Sequence, residues 1–232
     1  MLSRFFLFYL ITTITGSPLF ALCVILALYV ALDYQFTGII RRGMGIFQME
    51  TEIAQLKRDI ALNPHNAAAM NDIGRLLVMR GREGAALVYF EKAYERLSDL
   101  AETNYYLGLA YMGTGNEGMG EAKIKKALEI NPKTRYGEPA LRLAEYYAKN
   151  GRVNEARALF DQFFSIHSSS PEGHYKFGLL QNRMGDRASA IEHFSKAIEV
   201  SHLSPSFKRR EERLWVMKAR YQRAKTQWGG SS

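Results

Sequence analysis

Residues 107–132 read LGLAYMGTGNEGMGEAKIKKALEINP, and the placing of small residues in this stretch decides how the chain folds. Gly108 and Gly115 stand seven residues apart inside it, and the same pairing recurs along the chain. Gly74, Gly108, Ala144 and Gly178 are separated by 34, 36 and 34 residues, and Gly81, Gly115, Gly151 and Gly185 follow them by seven each time. A fixed period of this length marks stacked units that bury their apolar faces on one another. The first set suits close approach of paired helices. The second suits the turn between them, where Gly supplies backbone freedom.

On these positions the chain resembles the tetratricopeptide-repeat (TPR) family, whose 34-residue unit is two antiparallel helices, over residues 67–202. Ile73, Gly74, Leu77, Ala86, Phe90 and Ala93 fill the family positions in the first unit; Leu107, Gly108, Tyr111, Ala127 and Pro132 do so in the second. Leu143, Ala144, Tyr147, Ala156 and Phe160 follow in the third, and Phe177, Gly178, Ala190, Phe194 and Ala197 in the fourth. The resemblance implies an all-α helical solenoid of four helix-turn-helix units, at about 67–100, 101–136, 137–170 and 171–204, with flanking helices. Three departures stand out: Gly120 replaces the usual Ala in unit two, Phe163 replaces the closing Ala in unit three, and terminal Pro occurs only at Pro132. Two extra residues between units two and three fall in the Pro132–Pro139 turn.

Before the repeats, residues 5–32 carry no charged side chain. That run exceeds the roughly 20 apolar residues a membrane-spanning helix needs, so residues 1–42 are expected to form a retained membrane anchor, with a cleaved signal peptide as the rival. Gly16-Ser17-Pro18 interrupts the run, because Ser caps a helix and Pro fits its first turn. Residues 2–15, with Phe5, Phe6, Phe8 and Tyr9, would then form an interfacial helix, and Asp33 an interfacial acid. The single Arg4 before the span, against Arg41 and Arg42 after it, points to a cytoplasmic repeat domain in a single-pass protein; the alternative is a periplasmic or other extracytoplasmic location. Cys23, the one cysteine, lies in this run and has no disulfide partner in the chain.

Residues 43–64 carry Ile46, Met49, Ile53, Leu56 and Ile60 on one helical stripe closed by Asn63-Pro64, the ending of a degenerate half-repeat or a linker helix. Residues 205–232 form a basic helix and tail. From Ser206 on, Lys208, Arg209, Arg210, Arg213, Lys218, Arg220, Arg223 and Lys225 face only Glu211 and Glu212. Phe207, Leu214, Met217, Tyr221 and Trp228 share one side, so the helix is expected to bury that stripe on unit four and cap the solenoid, leaving the basic residues for solvent or anionic lipid. No nucleic-acid reader motif accompanies them.

The sequence contains no phosphate loop, paired-cysteine motif or His-Glu-x-x-His site, and His65, His167, His174, His193 and His202 are scattered. No catalytic site, cofactor or metal is therefore assigned. The TPR resemblance implies instead a partner-binding groove lined by the first helix of each unit. The candidate groove residues are Asn71, Arg75 and Met79; Tyr105, Leu109 and Met112; Arg142 and Glu145; and Tyr175, Leu179 and Arg183. At the positions with which chaperone-binding relatives hold a terminal carboxylate stand Asn71, Arg75, Tyr106, Glu138 and Arg142, of which only Arg142 matches. A helix or extended peptide with apolar anchors and a few charges fits better. The expectation is a membrane-anchored interaction scaffold or assembly subunit of a membrane complex. The alternative is a tethered chaperone holding unfolded or translocating clients.

Overall fold

A computed structural model of the chain describes residues 9–14, 16–32 and 39–228, and every regular element among them is helical. The chain divides into two compact units, Met1–His65 and Asn66–Ser232.

In the first unit, a helical run over residues 9–14 precedes α1, Pro18–Leu32. Gly16 takes φ +68° between them, and Ser17 Oγ accepts a hydrogen bond from Phe20 N–H at 3.4 Å. Pro18 sits in the first turn, where its missing N–H leaves no partner wanting. α1 has 15 residues, about 22 Å at 1.5 Å per residue, against the roughly 30 Å of a bilayer core. Among the described residues no helix is long and apolar enough to cross a membrane, so the expected transmembrane helix is not shown. Phe5, Phe6, Phe8 and Asp33 lie outside the described residues. α2, Ile39–Leu62, stops before Asn63, whose side chain accepts from His65 N–H at 3.2 Å.

The second unit is four helix pairs and one further helix. α3 (Ala67–Met79) pairs with α4 (Glu83–Leu97), α5 (Ala101–Gly113) with α6 (Glu117–Ile130), α7 (Glu138–Lys149) with α8 (Val153–Ile166), and α9 (Pro171–Arg183) with α10 (Arg187–Leu203). α11, Ser206–Trp228, lies along α10 and also touches α9. This is the all-α solenoid that the repeat period implies. Phe90, Ile124, Phe160 and Phe194 are fully buried on the second helices. Three of them need a glycine opposite: a Cβ on Gly74 would meet the Phe90 ring at 2.8 Å, one on Gly108 would meet Ile124 at 2.6 Å, and one on Gly178 would meet Phe194 at 2.7 Å. The turn glycines, Gly81 to Gly185, have φ of +68° to +84°, the left-handed region that side chains disfavour.

The departures from the repeat pattern have local reasons. A Cβ on Gly120 would stand 2.4 Å from Met112 Cγ and 2.9 Å from the Gly108 carbonyl oxygen, so two facing glycines let α5 and α6 approach backbone to backbone. Phe163 is buried against Gly173, where a Cβ would lie 2.4 Å from its ring; glycine across the junction makes room for phenylalanine in place of alanine. The extra residues form a 3-10 turn, Thr134–Gly137, in which Arg135 and Tyr136 take φ +49° and +57°.

The last helix reverses its expected face. Phe207, Leu214, Met217, Tyr221 and Trp228 are 75, 53, 59, 66 and 79% exposed, not buried on unit four. Glu212, Ala219 and Thr226 are buried instead. Ala219 settles on the cluster of Ala190, Phe194 and Ala197. A small contact residue lets α11 pack closely, whereas the bulky stripe would hold the helices apart.

Candidate functional site

The first helices α5, α7 and α9 carry charged residues at repeating positions, and stacking the units joins them. Arg135 donates to Glu138 at 2.8 Å and lies 3.4 Å from Glu102. Arg142 reaches Glu172 at 2.8 Å, Glu138 at 3.2 Å and Glu145 at 3.7 Å. Lys176, buried under Trp215, pairs with Glu145 and with Glu172, the latter at 2.8 Å. Lys149 adds a contact to Glu145 at 3.4 Å. Burial works against the charge of Arg142, but Glu172 and Glu138 hold its proton more tightly than usual. Burial likewise raises the carboxyls of Glu138 and Glu145, and their cationic neighbours outweigh it, so both stay ionised below the usual range. The ladder runs across three units and neutralises itself. Three carboxylates therefore surround Arg142.

The sequence-derived groove residues divide by environment. Tyr105, a candidate groove residue, is buried at 1% exposure. Its hydroxyl lies close enough to Glu138 and Arg142 to feel their charge but makes no hydrogen bond, and burial raises its pKa. Tyr175 is half-buried with its ring 6.1 Å from Phe194 and 5.7 Å from Trp215, and Leu179 packs on the same cluster. Met112 is half-buried over Gly120, and Leu109 is half-buried beside Gly108 in sequence. Asn71 is half-buried with its carbonyl oxygen unpartnered. Arg75 lies 3.6 Å from Asp72 and points a guanidinium nitrogen at the Met79 sulfur, 3.9 Å away. Met79 is exposed, as is Arg183, which donates to the Ala148 carbonyl at 3.0 Å. Glu145 and Arg142 belong to the ladder.

On α11, Lys208 lies 3.7 Å from Glu212, Arg223 donates to Ser195 at 3.5 Å and Lys218 stands over the Trp215 ring at 4.5 Å. Arg209, Arg213, Arg220 and Lys225 are exposed, and Arg210 is half-buried.

Residue-type reasoning missed three features. Lys176 has a signal in the sequence, since Arg142 and Lys176 share one position in successive units, as Glu102, Glu138 and Glu172 share another. Asn104, fully buried, donates to the carbonyls of Ser98 and Leu100 and accepts from Tyr94. His174 and His193 bring their Nδ1 atoms within 3.2 Å across α9 and α10. Among the described residues no cluster of three or more His, Cys, Asp or Glu could hold a metal.

Residues 101–134 and 171–201 match the family described as Tetratricopeptide repeat, so the chain carries such repeats. "Cellulose synthase operon protein C" of Xanthomonas axonopodis pv. citri (strain 306) is 24% identical over 173 residues, which are 70% of this chain and 11% of that protein's length. Among solved structures, "Crystal structure of MamA" superposes with a TM-score of 0.59 at 22% identity, covering 72% of this chain and 95% of its own. "YrrB: a TPR protein with an unusual peptide-binding site" gives a TM-score of 0.54 at 20% identity, covering 68% of this chain and 80% of its own. At these identities the structural likeness shows the fold.

Proposed function

We propose that this chain is a non-enzymatic scaffold that binds a protein segment along the first-helix face of its repeats and is held at a membrane by its apolar amino-terminal stretch. The observation that carries the reading is the ladder from Glu102 to Lys176: it presents alternating, already neutralised charge along the first helices, on which Met79 and Arg183 are also exposed. Such a face favours a helix or extended peptide with apolar anchors and complementary charges over a lone carboxylate terminus. The peptide-binding site named for YrrB supports the same use of the fold. The uncharged run at residues 5–32 supports the anchor, and Arg41 with Arg42 supports a cytoplasmic repeat domain.

Mild detergent extraction of the full chain, followed by identification of what co-purifies, tests the reading. One partner in stoichiometric amount, as in an assembly subunit of a membrane complex, is the expected result. Weak retention of many unrelated segments would favour the tethered chaperone.

A further inference from the structure

α11 turns outward the face that its apolar patterning assigns to the core. Phe207, Leu214, Met217 and Tyr221 fall within one arc of a 3.6-residue helix, and each is more than half exposed. Beyond one edge of the arc come Arg209, Arg213 and Arg220, which with Ile198, Val216 and Met217 line a cleft of about 520 Å³ between α10 and α11. At the other edge Lys225 stands in line with Phe207 and Lys218 lies just beyond it. Glu212 is turned inward, leaving Glu211 as the exposed acid of the helix.

Exposed apolar residues scattered singly are ordinary, but a row of them along one helix is a contact surface. Its occupant must be apolar beneath and anionic at the rims. A bilayer with anionic headgroups has that layering, and an apolar stripe of Phe, Leu, Met and Tyr edged by Lys and Arg is the composition of helices that lie in a membrane interface. We propose that α11 docks flat on an anionic lipid surface, with phosphates at the Arg209, Arg213 and Arg220 cleft and the stripe in the headgroup boundary. Binding needs both halves: each cation near such a surface contributes about fivefold to partition, and the stripe supplies depth. The inference stands apart from groove binding and from the amino-terminal anchor.

Both tryptophans, Trp215 and Trp228, lie on α11, so tryptophan fluorescence of the full chain reports this helix and is silent to the amino-terminal segment. The full chain is presented to vesicles of phosphatidylcholine alone, or mixed with phosphatidylserine, carrying brominated acyl chains. The expected result is a blue shift with quenching in the phosphatidylserine vesicles only. Lys218→Gln with Lys225→Gln should weaken it about 25-fold. Leu214→Glu with Met217→Glu should abolish it with the helical spectrum retained, since both residues are exposed. Absence of quenching in the phosphatidylserine vesicles, or equal quenching in both vesicles, would overturn the proposal. Self-association lost in the Leu214→Glu, Met217→Glu variant, without any lipid response, would assign the stripe to a second copy and overturn it too.

Discussion

Replacing Tyr105 in two steps separates packing from recognition. The ring is buried at 1% exposure, so Tyr105→Ala removes a whole aromatic side chain from the junction of α5 with the third unit. Truncating a buried aromatic costs about 3–5 kcal/mol through lost transfer energy and the cavity left behind. At about 2–4 °C per kcal/mol for a domain of this size, the melting temperature should fall by roughly 10 °C. Tyr105→Phe keeps the ring and deletes a buried hydroxyl that has no hydrogen-bond partner. Leaving such a group unsatisfied costs about 1–3 kcal/mol, so its removal should be neutral or stabilising by about 1 kcal/mol. The assay is thermal and urea unfolding followed by circular dichroism, with Phe90→Ala as the control for a fully buried ring. A Tyr105→Ala protein that melts with the parent but loses its partner would refute the packing assignment. A Tyr105→Phe protein as unstable as the alanine variant would show that the hydroxyl is bonded.

Other outcomes follow from the same contacts. Gly120→Ala places a Cβ 2.4 Å from Met112 Cγ and 2.9 Å from the Gly108 carbonyl, and overpacking should cost about 1–3 kcal/mol in urea melts. Burial pushes His174 down to about 4 and also lowers His193, with Lys196 adding to both and the Ser168 carbonyl opposing it at His174. The unfolded chain binds these protons near pH 6.5, so the stability is fully present above that value and declines as pH falls toward 4, with His174 alone contributing about 2 kcal/mol of the loss at pH 5. His174→Phe should flatten that slope. Alkaline washing should leave the full chain in the membrane fraction, and release by salt alone would remove the anchor from the account.

What the sequence discloses is the repeat: the spaced glycines place the turns, and the aromatic residues at Phe90, Phe160 and Phe194 mark the helices that fill the core. What it hides is choice of face and partner. α11 has a regular apolar stripe, and periodicity alone assigns that stripe inward; packing favours Ala219 because a small side chain fits the surface of α10. Tyr105 occupies a family groove position, yet it packs next to Glu138 and Arg142 of α7, and the turn that positions α7 comes from a two-residue insertion with left-handed Arg135 and Tyr136. The charged ladder has a readable signal in like charges repeated at equivalent positions. The pairing of His174 with His193 has none, since it depends on how the Gly185 turn brings α9 against α10.

Groove recognition is tested most directly by photocrosslinking, with a benzophenone amino acid placed at Met79 or Leu109 on the first helices, or at the exposed Val88 on the second helix α4. The scaffold account predicts that the stoichiometric partner crosslinks from Met79 and Leu109 and not from Val88. Crosslinking from Val88 alone would place the partner on the opposite face and contradict the account.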